Sequence, residues 1–174
     1  MMLYSRSKLI KLVMGALFAA LTCVATIVIV IPSPMGGYVH PGDSMVLLGA
    51  FLLGPAWGAI AAGLGSALAD VILGYAVYAP GTLVIKGAMA LLSGFLLRKL
   101  GGSRPVAAAF LASLSGAVLM VLGYFLYSSV LLGYGWGALA DVPGNCVQGV
   151  FGCAAGSALY LALSKIPYIR ELTK

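Results

Sequence analysis

The 174-residue chain is 62% hydrophobic and only 8% charged, with a mean hydropathy of +1.10. So little polar surface cannot cover a soluble globule, and we expect an integral membrane protein. The net charge of +6 would suit nucleic acid, but the cations cap apolar segments and form no basic face interleaved with aromatics. Nucleic acid is therefore excluded as a partner, and lipid headgroups are favoured.

The cations predict the membrane topology. Nine of the ten form three clusters separated by long apolar stretches, namely Arg6, Lys8 and Lys11; Arg98, Lys99 and Arg104; and Lys165, Arg170 and Lys174. Because cationic loops stay on the cytoplasmic side, we expect a multi-pass protein of the cell membrane with both termini in the cytoplasm. The chain must then cross the membrane an even number of times between clusters.

Apolar segments and turn signals predict six helices in an all-α bundle, which forms a single integral-membrane domain over residues 1–174. The stretch 43–97 is too long for one crossing of about 20 residues, and three crossings satisfy the topology. The second helix is short, so either the loop before it dips into the membrane or the helix begins deep within the bundle. The predicted helices cover residues 9–31, 43–53, 56–73, 82–97, 106–127 and 139–163.

Small residues in the first helix predict a close helix contact. Gly15, Ala16, Ala19 and Ala20 recur at a spacing of four residues, as in helices whose backbones approach each other in lipid. The partner depends on the direction in which this face points.

The loop between the first two helices places an aromatic ring, an imidazole and a carboxylate side by side. Tyr38, His40 and Asp43 lie at the mouth of an apolar bundle, where a lid over a binding pocket would sit. Alternatively, His40 is a solvated loop residue and Asp43 caps the second helix.

Two charged residues lie inside apolar segments. Asp70 and Lys86 are each eight residues from Tyr78, the midpoint of an outer hairpin, so they should lie at the same depth. Because an isolated charge in a bilayer is costly, we predict that they form a structural ion pair. Alternatively, Lys86 or Asp70 could reach a polar ligand in an outward-facing cavity.

Further polar and aromatic residues indicate a ligand site on the outer side. Asp141, Asn145 and Gln148 project along one stripe of the sixth helix. The two amides could bind a heteroaromatic ligand or form hydrogen bonds between helices. Asp141 could cap the helix. Tyr75 and Tyr78 are interfacial belt residues or stack on a flat ligand. The predicted ligand-binding set is Tyr38, His40, Asp43, Tyr75, Tyr78, Lys86, Asn145 and Gln148.

Several signatures of other functions are missing from the sequence. It contains no phosphate-binding GxxxxGK[ST] loop, no HExxH, no CxxC and no nucleophile with a suitably spaced base. We therefore expect neither an enzyme nor a catalytic residue, and no metal or cofactor. If transport needs ATP, another subunit must hydrolyse it.

Taken in order, these segments resemble the substrate-binding S components of energy-coupling factor (ECF) vitamin transporters, in the branch related to riboflavin, pyridoxine and hydroxymethylpyrimidine uptake. The resemblance spans nearly the whole chain and rests on Gly42-Asp43, Gly54-Pro55-x-x-Gly58, Gly65-Ser66-Ala67-x-Ala69-Asp70, Ala79-Pro80-Gly81-Thr82-x-x-x-Lys86-Gly87 and Pro143-Gly144-Asn145-x-x-Gln148.

This resemblance implies a six-helix subunit that captures a vitamin-like molecule from outside and works with a transmembrane coupling subunit and two cytoplasmic ATPases. It also implies that Gly15, Ala16, Ala19 and Ala20 face the coupling subunit. With few candidate polar residues, we favour hydroxymethylpyrimidine or a pyridoxine-type vitamer as substrate, and riboflavin remains open. Two other classes stay open: a standalone ion-coupled secondary transporter using Asp70, Lys86 and Asp141 as a relay, and, less favoured, an intramembrane enzyme.

Overall fold

A computed structural model describes residues 2–102, 104–167 and 169, with side chains from residue 8 onward. In this part of the chain six α-helices form one bundle, which confirms the predicted fold class. They are α1 (Met2–Val28), α2 (Asp43–Leu53), α3 (Pro55–Ile72), α4 (Ala79–Leu100), α5 (Pro105–Leu126) and α6 (Val142–Leu163). The side chain of Arg6, and both Arg170 and Lys174, lie outside the described residues.

Proline and glycine explain where the helices begin and end. Pro55 and Pro105 each open a helix, at a position where the missing N–H costs no hydrogen bond. Between α2 and α3, Gly54 adopts a φ of +84°, which favours glycine. The guanidinium group of Arg98 occupies the space next to it, so a Cβ there would also clash.

The connections contain structure that the sequence analysis did not predict. The first loop is a β-hairpin of β1 (Ile31–Pro32) and β2 (Tyr38–Val39), with Ile31 opposite Val39. After α5, the chain continues as a π-helical turn (Tyr127–Leu131) and a 3₁₀ helix (Gly135–Asp141) that leads into α6.

Small residues hold the helices together. Gly65 of α3 packs on the backbone of Ala19 in α1, and a Cβ at Gly58 would lie 2.5 Å from the Cα of Ala50 in α2. Leu47 and Met89 are fully buried at the centre. Since most large exposed side chains are apolar and five described helices are long and apolar enough to cross a membrane, the chain is a multi-pass membrane protein.

The short helix α2 lies inside the bundle. Asp43 at its beginning is 0% exposed, and most of the helix is buried against α3, α4 and α6. Of the two explanations given for its length, the structure therefore supports a helix that begins within the bundle.

Candidate functional site

A small polar cavity lies beneath the β-hairpin, at the end of the bundle where α3 ends and α4 and α6 begin. Its volume is about 30 Å³, room for about two water molecules. Its lining is mostly polar or aromatic and comprises Ser33, Gly37, Tyr38, His40, Asp70, Tyr78, Thr82, Tyr124, Ser128, Asp141, Asn145 and Gln148.

Helix ends bring these side chains together from distant parts of the sequence. Asp70 comes from the last turns of α3, and Thr82 comes from the first turn of α4. Asn145 and Gln148 lie three residues apart in the first turns of α6, on one helix face. The hairpin adds Tyr38 and His40 from above.

A buried ion pair lies next to the cavity. Lys86 Nζ donates to Asp43 Oδ1, both side chains are 0% exposed, and Gln148 Nε2 donates to Asp43 Oδ2 at 3.0 Å. We predicted Asp70 as the partner of Lys86, whereas the structure places Lys86 against Asp43. Equal distance from the outer hairpin predicted depth only, and α2, which begins inside the bundle, presents its own carboxylate to Lys86.

Asp70 instead contacts the hairpin. Tyr38 donates its phenolic hydrogen to Asp70 Oδ1 at 2.5 Å. The other oxygen, Oδ2, is buried and has no hydrogen-bond partner among the described residues. Asp70 was not among the predicted ligand-binding residues, yet its carboxylate lines the cavity.

Side chains from the helices hold the hairpin over the cavity. Gln148 Oε1 accepts a hydrogen bond from the backbone N–H of His40 at 3.0 Å. Asp141 Oδ1 accepts one from the backbone N–H of Met35, also at 3.0 Å. Asp141 stands at the predicted cap position of α6, but its described side chain makes no capping hydrogen bond and holds the hairpin instead. Tyr78 donates to the Met35 carbonyl oxygen at 3.1 Å.

His40 is neutral in this setting. Burial, together with the nearby positive charge of Lys86, lowers the pKa of His40 to about 3. Its Nδ1 accepts a hydrogen bond from the N–H of Gly42 at 3.1 Å, which requires an unprotonated Nδ1. Burial raises the pKa of Tyr78 to about 12, and burial with the hydrogen bond to Asp70 raises the pKa of Tyr38 further. The two phenols remain hydrogen-bond donors at neutral pH.

The predicted ligand-binding residues divide into two groups. Five of them line the cavity: Tyr38, His40, Tyr78, Asn145 and Gln148. The other three lie behind this lining. Asp43 and Lys86 neutralise each other, and the ring of Tyr75 packs on that of Tyr38 with centroids 4.6 Å apart. Asp43 begins α2 but makes no side-chain cap there.

Other lining residues were missed by the sequence analysis. Tyr124 and Ser128 are isolated polar residues in apolar segments, without spacing that marks a site, and Thr82 was named only as part of the segment Ala79 to Gly87. Tyr124 donates to Thr82 Oγ1 at 2.9 Å. Only the packing of α4 against α5 brings them together.

The small residues of α1 point in two directions. Gly15 packs on the ring of Trp57, and Ala19 packs on Gly65, so these two serve contact with α3. Their predicted role in partner binding stays a prediction. Ala16 and Ala20 are exposed on the outside of the bundle.

The geometry suits binding of a small polar molecule. Hydrogen-bond donors, acceptors and aromatic rings converge on a small, partly open cavity. Among the described residues, no group of three or more His, Cys, Asp and Glu side chains could hold a metal ion.

Comparisons with known proteins agree with this geometry. A family model described as "ECF-type riboflavin transporter, S component" matches residues 6–165. A Pyrococcus woesei protein described as "Uncharacterized protein in gap 3'region" is 41% identical over 143 residues, which cover 82% of this chain and 93% of that protein.

Two more distant relatives are described as "Phosphate transport system permease protein PstA 2", from Mycobacterium bovis and Mycobacterium tuberculosis. Each is 32% identical over 114 residues. The matched part is 64% of this chain but only 33% of each permease.

Proposed function

The chain belongs to the family of S components of ECF-type riboflavin transporters, and we propose that it captures a small vitamin or vitamin precursor outside the cell for an ATP-driven importer. Members of this family are substrate-binding subunits of vitamin transporters and not enzymes. The observation that carries the proposal is the polar cavity beneath the hairpin, at one end of an otherwise apolar bundle.

Ligand entry requires the hairpin to move. Because the space that water-sized groups can reach beneath the hairpin is only about 30 Å³, we propose that the hairpin shifts when a single-ring vitamin enters. The hydrogen bonds from His40 and Met35 to Gln148 and Asp141 hold the hairpin in place. A ligand that displaces the hairpin would take over some of these side-chain partners. Binding and opening are thereby linked.

The proposed orientation follows from charge. Arg98 and Lys99 lie in the last turn of α4, whereas Thr82 at its other end lines the cavity. Because cationic loops face the cytoplasm, the cavity would open outside, with both termini inside. The whole chain would form one membrane domain.

A coupling subunit would contact the exposed face of α1. Ala16 and Ala20 present little bulk there, so another helix could approach closely. Two cytoplasmic ATPases would then supply the energy that rotates the subunit and releases ligand inside. We keep a hydroxymethylpyrimidine or pyridoxine-type substrate as the leading candidate, with riboflavin as the alternative that the family name suggests.

Uptake into proteoliposomes tests this proposal against an ion-coupled secondary transporter. We expect the purified chain to bind a labelled vitamin from this set but to import it only when co-reconstituted with its coupling subunit and ATPases in the presence of ATP. An ATPase variant unable to hydrolyse ATP is the control. Import by the chain alone, driven by an ion gradient, would refute the ATP-driven assignment.

A further inference from the structure

Asp70 has one carboxylate oxygen that receives no hydrogen bond of normal geometry from the described residues, although the Thr82 hydroxyl lies near this carboxylate. Its side chain is 3% exposed and lines the cavity. Oδ1 accepts from Tyr38, and Oδ2 is without a hydrogen-bond partner among the described residues. Since a buried carboxylate oxygen without a donor is costly, a donor from outside the protein would stabilise this arrangement.

Acidic side chains outnumber basic ones around the cavity. Asp43, Asp70 and Asp141 are three of the four acidic residues in the chain, and all lie in or next to the cavity. Lys86 is committed to Asp43, and His40 is neutral near pH 7. Asp70 and Asp141 therefore face the cavity without a salt-bridge partner among the described side chains.

Two other described cations lie at the far ends of helices that contribute to the cavity. Arg98 is sixteen residues beyond Thr82 in α4, which is about 24 Å at a helical rise of 1.5 Å per residue. Lys165 is twenty residues beyond Asn145, just past the end of α6. The cavity end of the bundle is acidic and the opposite end is basic.

We propose that Asp70 is the specificity-determining residue of the cavity, and that its Oδ2 accepts a hydrogen bond from a positively charged nitrogen on a flat ligand. This inference rests on the proposed function. The rings of Tyr38, Tyr78 and Tyr124 line the same space and suit a planar cation. Anions such as phosphate are disfavoured. A neutral ring system such as riboflavin leaves the charge of Asp70 unbalanced.

Pyridoxamine and pyridoxine form a matched pair of probes, because they differ in an ammonium versus a hydroxyl group on one methylene. We expect the purified full chain in lipid nanodiscs to bind pyridoxamine about tenfold more tightly than pyridoxine, as a charged hydrogen bond would produce. In Asp70→Asn this preference should disappear. Tyr38→Phe removes only the donor to Oδ1 and should keep the preference for pyridoxamine. Asp70→Glu keeps the negative charge and should keep part of this preference.

Each result bears on the proposal. The proposal would be overturned if the wild-type chain bound both probes equally, or if the Asp70→Asn variant kept the preference for pyridoxamine. Asp70 would then only hold the hairpin through Tyr38, and the proposed function would stand. If Asp70→Asn does not fold, the wild-type ratio and Asp70→Glu decide. A wild-type chain that binds neither probe, nor hydroxymethylpyrimidine, nor riboflavin would overturn the proposed function as well.

Discussion

Removing the buried cation at Lys86 should destabilise the bundle strongly. In Lys86→Met, Asp43 would keep only the hydrogen bond from Gln148 and would remain 0% exposed. Loss of one partner from a buried ion pair typically costs about 3–5 kcal/mol, because the remaining charge is left without compensation. We expect the free energy of unfolding to fall by that amount.

The assay is unfolding of the purified protein in mild detergent, followed by tryptophan fluorescence, to which Trp57, packed on α1, contributes. Lys99→Met is the matched control, since Lys99 is exposed on the same helix and its loss should change stability by no more than about 0.5 kcal/mol. The double variant Asp43→Asn/Lys86→Met removes both charges and should recover most of the loss.

Two outcomes would refute this reasoning. Wild-type stability in Lys86→Met would mean that the cation does not compensate a buried charge. A double variant as unstable as Lys86→Met alone would mean that packing of the lysine side chain, and not its charge, stabilises the bundle.

Three further predictions concern binding, docking and pH. Asn145 lines the cavity and has no side-chain hydrogen bond among the described residues, so Asn145→Leu should weaken vitamin affinity by about 1–3 kcal/mol with an unchanged melting temperature; an unchanged dissociation constant would remove it from the site. Ala16→Trp should abolish uptake but preserve ligand binding, whereas Ala107→Trp, on the exposed face of α5, should leave both intact; lost binding in the first variant would contradict the docking role. The pKa of His40 is lowered from 6.5 to about 3, so between these pH values the unfolded chain binds a proton at His40 that the folded chain does not bind. The free energy of unfolding should therefore fall as the pH drops below 6.5. As the only histidine, it can be tested with His40→Gln, in which that part of the acid sensitivity should vanish; an identical pH profile would contradict the shift.

Helix positions were predictable from the sequence because local chemistry determines them. Prolines and glycines mark the boundaries, and α2 was predicted with the bounds that the structure shows, Asp43–Leu53. The hairpin was not predictable in the same way. Strands of two residues, Ile31–Pro32 and Tyr38–Val39, are too short for an alternating pattern to emerge.

Side-chain partners were harder to predict than helices. Sequence distance from a turn indicates the depth of a residue in the membrane but not the direction in which it points. Depth alone therefore favoured Asp70 as the partner of Lys86, and only the packing of α2 places Asp43 beside it. Likewise, the spacing in α1 suggested one contact face, whereas Gly65 and Trp57 of α3 occupy half of it.

Native mass spectrometry of the chain purified from its own membranes, in gentle detergent, tests the central claim most directly. We predict one small-molecule adduct per chain, with the mass of a vitamin or vitamin precursor, that is lost in Asn145→Leu. A chain that carries no such adduct and acquires none when vitamins are added would contradict the assignment of the cavity as a binding site.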